Sequence, residues 1–86
     1  MDTGYYVVKI GNQFFMNEAF LALCYVEQPA SLERMEYYLF SKAEAEDMLK
    51  KVSDSGWYIW FALDKAEMKA VYFNANNTMV YLPSGA

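Results

Sequence analysis

Hydrophobic residues change their spacing several times along the chain, and each change predicts an element. Tyr5-Tyr6-Val7-Val8-Lys9-Ile10 is aromatic and β-branched and stops at Gly11-Asn12-Gln13. Phe14-Phe15-Met16 answers it, so residues 5–16 predict a hairpin whose turn has glycine where positive φ is needed. Residues 18–27 fit two readings. Asn17 can cap a short helix with Phe20, Leu23 and Cys24 on one face, yet the run is apolar on both parities, as in a buried strand. The Tyr25-Val26 end leans toward strand, and Pro29 closes the segment either way. Met35 to Phe40 reads as a further strand.

The next stretch switches to the helical period. Ser41-Lys42-Ala43-Glu44 has the form of a capping box, in which hydroxyl and carboxylate each satisfy the other residue's backbone N–H. Ala45, Met48, Leu49 and Val52 then fall at i, i+3, i+4 and i+7, giving one apolar stripe. Glu46–Lys50 and Asp47–Lys51 are i,i+4 pairs on the solvent side, and Gly56 suits a left-handed helix end. From Trp57 the period becomes two. Trp57 to Leu63 predicts a central strand or one whose second face meets a partner, Met68 to Phe73 another, Asn74-Ala75-Asn76-Asn77 a turn, and Thr78 to Leu82 the last. The fold expected is α+β: an antiparallel sheet of five or six strands with one helix, about residues 42–54, packed on one face, in a single domain spanning 1–86.

At 86 residues, a chain buries only about 60–65% of its unfolded surface, so its stability depends on a dense core. Hydrophobic residues at 56% and aromatic residues at 19% supply one. Net charge is −4, and the excess is uneven: residues 70–86 carry no charged side chain at all. An acidic chain repels phosphate backbones, so direct nucleic-acid binding is not expected. Cys24 stands alone and rules out an intramolecular disulfide. Met1-Asp2-Thr3-Gly4 lacks the basic start of a signal peptide, and no apolar run approaches the ~20 residues that span a membrane. A cytoplasmic location is the expectation.

Candidate chemistry is sparse. There is no histidine, so Ser-His and Cys-His nucleophile pairs are excluded, and one cysteine with carboxylates makes no credible zinc site. Phosphate-binding glycine motifs and calcium-loop spacing are also missing. Glu33 and Glu36 can converge, as can Asp64 and Glu67, but a solvated acidic face explains them as well. Cys24, among Leu23, Tyr25 and Val26, reads as a buried, inert thiol. No catalytic residue, cofactor or metal is therefore expected.

The aromatic residues point to binding. Trp57, Ile59 and Phe61 share one parity, Tyr58 and Trp60 the other; one set faces the helix, and the second is either core under residues 18–32 or exposed. If Tyr58 and Trp60 are exposed, Tyr37 or Tyr72 on a neighbouring strand would extend them into a rigid aromatic patch of the kind that dominates binding hot spots. Stacking of nucleobases would need basic residues beside them, and Lys9, Lys65 and Lys69 are the only candidates.

Tyr-Tyr-Val-Val-Lys-Ile-Gly-Asn-Gln-Phe-Phe at the start, and Tyr-Leu-Phe-Ser-Lys-Ala-Glu-Ala-Glu leading into the helix, resemble small proteins of unassigned role encoded by bacteriophages and prophages. Some of those are inhibitors of host defence, including anti-CRISPR proteins. The resemblance implies such a role and assigns no site residues.

The expected function is thus a non-enzymatic protein-binding module, of the phage-inhibitor type directed at a host defence or nucleic-acid-handling protein. In one mechanism Glu44, Glu46 and Asp47, with Glu36 and Asp54, imitate phosphates, although Lys42, Lys50 and Lys51 dilute the mimicry. In the preferred one an aromatic face (Tyr58, Trp60, Tyr72) or the uncharged strand containing Tyr81 docks against the partner. A homo-oligomeric structural or accessory protein, such as a homodimer, is the first rival, and a small-molecule binder or enzyme using Tyr58 or Tyr72 with carboxylates the second.

Overall fold

The computed structural model describes residues 5–18, 22–56 and 66–83. Five strands, β1 (Tyr5–Ile10), β2 (Gln13–Phe15), β3 (Leu23–Tyr25), β4 (Glu67–Phe73) and β5 (Met79–Tyr81), form one sheet in the order β3-β2-β1-β4-β5 with every pair antiparallel. The first hairpin turns where expected: Ile10 pairs with Gln13 and Gly11 takes φ 57°. The β4–β5 turn is built by its asparagines. Asn74 Oδ1 accepts from the backbone N–H of Asn76 and Thr78, at 2.9 and 3.1 Å, while Asn77 sits at φ 59°.

Helix α2 (Lys42–Ser55) forms as its sequence dictates. Glu44 N–H donates to Ser41 Oγ at 3.2 Å, and Ser41 N–H donates to the Glu44 carboxylate at 2.9 Å. Gly56, at φ 73°, closes the other end by donating its N–H to Val52 and Ser53 carbonyls. Ala45, Met48 and Val52 are buried and Leu49 half-buried against Val8, Ile10, Phe15 and Phe40.

One expectation changes. Met35 to Phe40 is not a strand: Leu32–Met35 is a short helix, α1, capped by Ser31 Oγ, which accepts from Arg34 N–H at 3.3 Å, and Glu36–Tyr38 continues as a 3-10 turn. The sheet explains why. β1 is already paired with β2 and β4, and only beyond the end of short β2 is part of its edge open. Phe40 alone reaches that edge, bridging Tyr6. The apolar residues of the segment enter the core by another route, with Met35 fully buried from α1.

The alternative left open for the second face is resolved: the sheet is covered on both faces. Even-numbered β1 residues Val8 and Ile10 lie under α2. Val7, with Phe14, Val71 and Met79, lies under Val26, Ala30, Met35, Tyr38 and Leu39. Residues 18–27, left open between helix and strand, supply β3 at their C-terminal part, and Val26 beyond it is buried. The strand expected over 57–63 lies outside the described residues.

A tyrosine-lined acidic cleft as the candidate functional site

Among the described residues, those singled out from sequence do not converge. Register places Tyr81 opposite Val71 and Tyr72 opposite Val80, so the two tyrosines point to opposite faces of the sheet. Tyr72 is exposed on the α2 face, whereas Tyr81 is half-buried on the other. Glu44 is committed to the capping box, whose backbone and hydroxyl partners hold its carboxyl below the ordinary range. Asp47 pairs with Lys51 at 3.1 Å, and Glu46 is exposed on α2. Tyr58 and Trp60 lie outside the described residues. β5 is the outermost strand, but Ser31 bridges Thr78 and Met79 N–H donates to the Ala30 carbonyl at 2.8 Å, so residues 30–31 cover its first half.

What the fold does assemble is a cleft of about 350 Å³ lined by Tyr5, Leu32, Glu33, Glu36 and Leu39. Tyr5 enters from the start of β1, braced edge-on against Phe73 at 5.9 Å between centroids. Leu32 and Leu39 come from either side of the α1 turn. Glu33 and Glu36 are three residues apart on one helical turn, which brings their carboxylates to the same side. Their convergence was anticipated across a strand; a helix achieves it instead.

Glu33 is fixed in place. Its carboxylate accepts from Asn77 Nδ2 at 2.7 Å, tying α1 to the β4–β5 turn. Its own backbone N–H, then Asn77, then Ser31 hold its carboxyl below the ordinary range, so it stays ionised. Neither Glu33 nor Glu36 forms an ion pair among the described residues. Tyr37, next along the chain, is 63% exposed. The cleft therefore presents an apolar floor with an acceptor-only rim. The pattern of the chain hid Leu32 and Leu39 because residues 35–40 read as sheet; the Ser31 cap ahead of Leu32 was the available signal.

Nothing else in the described residues suggests bond-making chemistry. No group of three or more His, Cys, Asp or Glu among them could hold a metal ion, and no buried side-chain N or O among them is without a hydrogen-bond partner. Cys24 is half-buried, not fully buried as expected, and stands beside the Tyr38 hydroxyl, whose pKa is raised first by burial and then by the thiol. No helix among these residues is long and apolar enough to cross a membrane. No protein-family model matches the sequence, and no curated protein or solved structure matches it.

Proposed function

We propose that this chain is a non-enzymatic protein-binding module whose acidic cleft receives an apolar side chain flanked by lysine or arginine on the partner. The observation that carries this reading is the pairing of an apolar floor (Tyr5, Leu32, Leu39) with two carboxylates, Glu33 and Glu36, that lack a cation of their own among the described residues. The floor favours desolvation of an aliphatic or aromatic anchor. The rim supplies charge-assisted hydrogen bonds, which strengthen as an arriving partner shields them from water. With a net charge of −4, the chain as a whole also steers toward basic partners. Proteins that grip nucleic acid present such basic surfaces, so an inhibitor of a host defence or nucleic-acid-handling protein, of the bacteriophage type, is the role proposed.

The test compares wild type with Glu33→Gln/Glu36→Gln and with Leu32→Ala in capture from bacterial lysates expressing defence systems. Affinity for the purified captured protein is then measured by calorimetry. Retention of a basic protein by wild type, with affinity falling at least about tenfold in both variants and more gently with salt in the Gln pair, supports the reading. Equal affinity in all three proteins overturns it. A concentration-dependent dimer that the variants disrupt would instead assign the cleft to a second copy of the chain.

A further inference from the structure

Tyr5 and Lys9 lie on the same side of β1, four residues apart, or about 13 Å at 3.3–3.4 Å per residue. The far end of this sheet face therefore lies well away from the acidic cleft, and its chemistry is opposite. A second cavity of about 210 Å³ opens there, lined by Asn12, Phe14, Tyr25, Val26, Gln28 and Tyr81. The Lys9 ammonium stands 5.9 Å from the Phe14 ring centroid and 5.2 Å from that of Tyr81. The Lys69 ammonium is 5.6 Å from the same Tyr81 ring. Two cations thus stand against rings that line this pocket, next to the lining residues rather than among them.

Among the described residues, neither cation is well neutralised. The Lys9 side chain is only 14% exposed, and Glu67, its carboxylate partner, is 3.9 Å away at the outer limit of an ion pair and half exposed itself. Lys69 has no ion-pair partner among the described residues. In a chain with eleven acids and seven bases, two lysines gathered on one tyrosine are conspicuous. Ring faces attract them, but an aromatic quadrupole neutralises no charge, so an arriving anion would gain an interaction that the described residues do not themselves complete.

We infer that this pocket binds a small aromatic anion, a single planar ring bearing a carboxylate, with the ring against Phe14 and Tyr81 and the carboxylate drawn to Lys9 and Lys69. The volume limits the ligand's size, since pockets for drug-sized molecules begin at about 300 Å³. Asn12 and Gln28 add amide groups among the lining residues, which can accept or donate to a ring substituent. Tyr81 suits the role. Burial, and then the Glu67 carboxylate, raise its pKa above 10.0, so at neutral pH its hydroxyl is a donor and does not repel an anion. The site is independent of the protein-binding cleft and stands or falls separately.

The test is an NMR titration of the amide signals of the intact protein with benzoate. Acetate serves as the charge without the ring, and benzyl alcohol as the ring without the charge. Saturable shifts centred on Lys9, Phe14 and Tyr81 are expected with benzoate, with both controls binding at least about tenfold more weakly. Lys9→Met, which keeps an unbranched side chain in the central strand, should weaken benzoate binding by about tenfold or more, and Lys69→Gln by at least about threefold. The same spectra report whether each variant is folded; should Lys9→Met unfold, Lys69→Gln decides. Absence of saturation by about 20 mM benzoate, equal binding of benzoate and acetate, or unchanged affinity in the folded lysine variants would overturn the assignment.

Discussion

Tyr6 and Phe40 exchange two backbone hydrogen bonds, each 2.8 Å, in a bridge that belongs to no longer strand. At that point the chain passes from one face of the sheet to the other. Leu39 packs with the cluster around Val7, Phe40 with the cluster around Val8, and Ser41 opens α2. Two layers on opposite sides of β1 are thus fastened at one residue. Phe40→Ala is expected to cost about 3–5 kcal/mol. In a domain of this size each 1 kcal/mol moves Tm by about 4–8 °C, so thermal unfolding should begin at least ~12 °C lower. A fall below about 4 °C would show that the Phe40 side chain carries little of the packing under α2.

The cap of α2 makes a second, pH-dependent prediction. Ser41→Ala removes the acceptor for the Glu44 N–H and should cost about 1 kcal/mol. The Glu44 carboxyl is held below its ordinary value of 4.5 in the folded chain. Its contribution is therefore complete above that value and is lost as pH falls through the lowered one. Denaturant midpoints measured from pH 7 down to pH 3 should decline less steeply in Glu44→Gln than in wild type.

Two neighbours on the helix stripe should separate. Met48 is buried beneath α2 and Leu49 only half-buried. Met48→Ala should cost about 2–5 kcal/mol and Leu49→Ala clearly less. Urea midpoints for the two variants provide the comparison, and equal losses would contradict the orientation of α2.

Asn77 has two duties, its left-handed backbone and its bond to Glu33, and substitutions can split them. Asn77→Gly keeps the backbone and loses the bond, so stability should change little while the cleft loosens. Asn77→Ala loses both and should cost about 1–2 kcal/mol, readable by thermal denaturation.

The elements legible in the sequence are those decided within a few residues. The Ser41–Glu44 box, Gly56, Gly11 and the asparagine turn all work through local backbone geometry, and each appears in its place. Residues 35–40 were misread because Tyr37, Tyr38 and Phe40 have strand composition, while the outcome depends on which edges of β1 remain open after β2 and β4 pair with it. The same non-local question hid the cleft. Glu33 and Glu36 were visible as a pair, but Tyr5 and Leu39 join them only through the folded layer. That Tyr72 and Tyr81 face opposite sides of the sheet was likewise beyond the pattern, since the pairing register across the turn sets their faces.

The short contact of Ala30 and Ser31 with Met79 and Thr78 bears on whether β5 can template pairing with another chain. β5 is uncharged and, among the described strands, outermost, the profile from which chains recruit one another into growing fibrils. Here the N–H of Met79 is already occupied by Ala30 and Thr78 is bridged by Ser31, leaving a template too short to propagate. Colloidal safety that other sheets obtain from edge lysines is supplied by a loop from the same molecule.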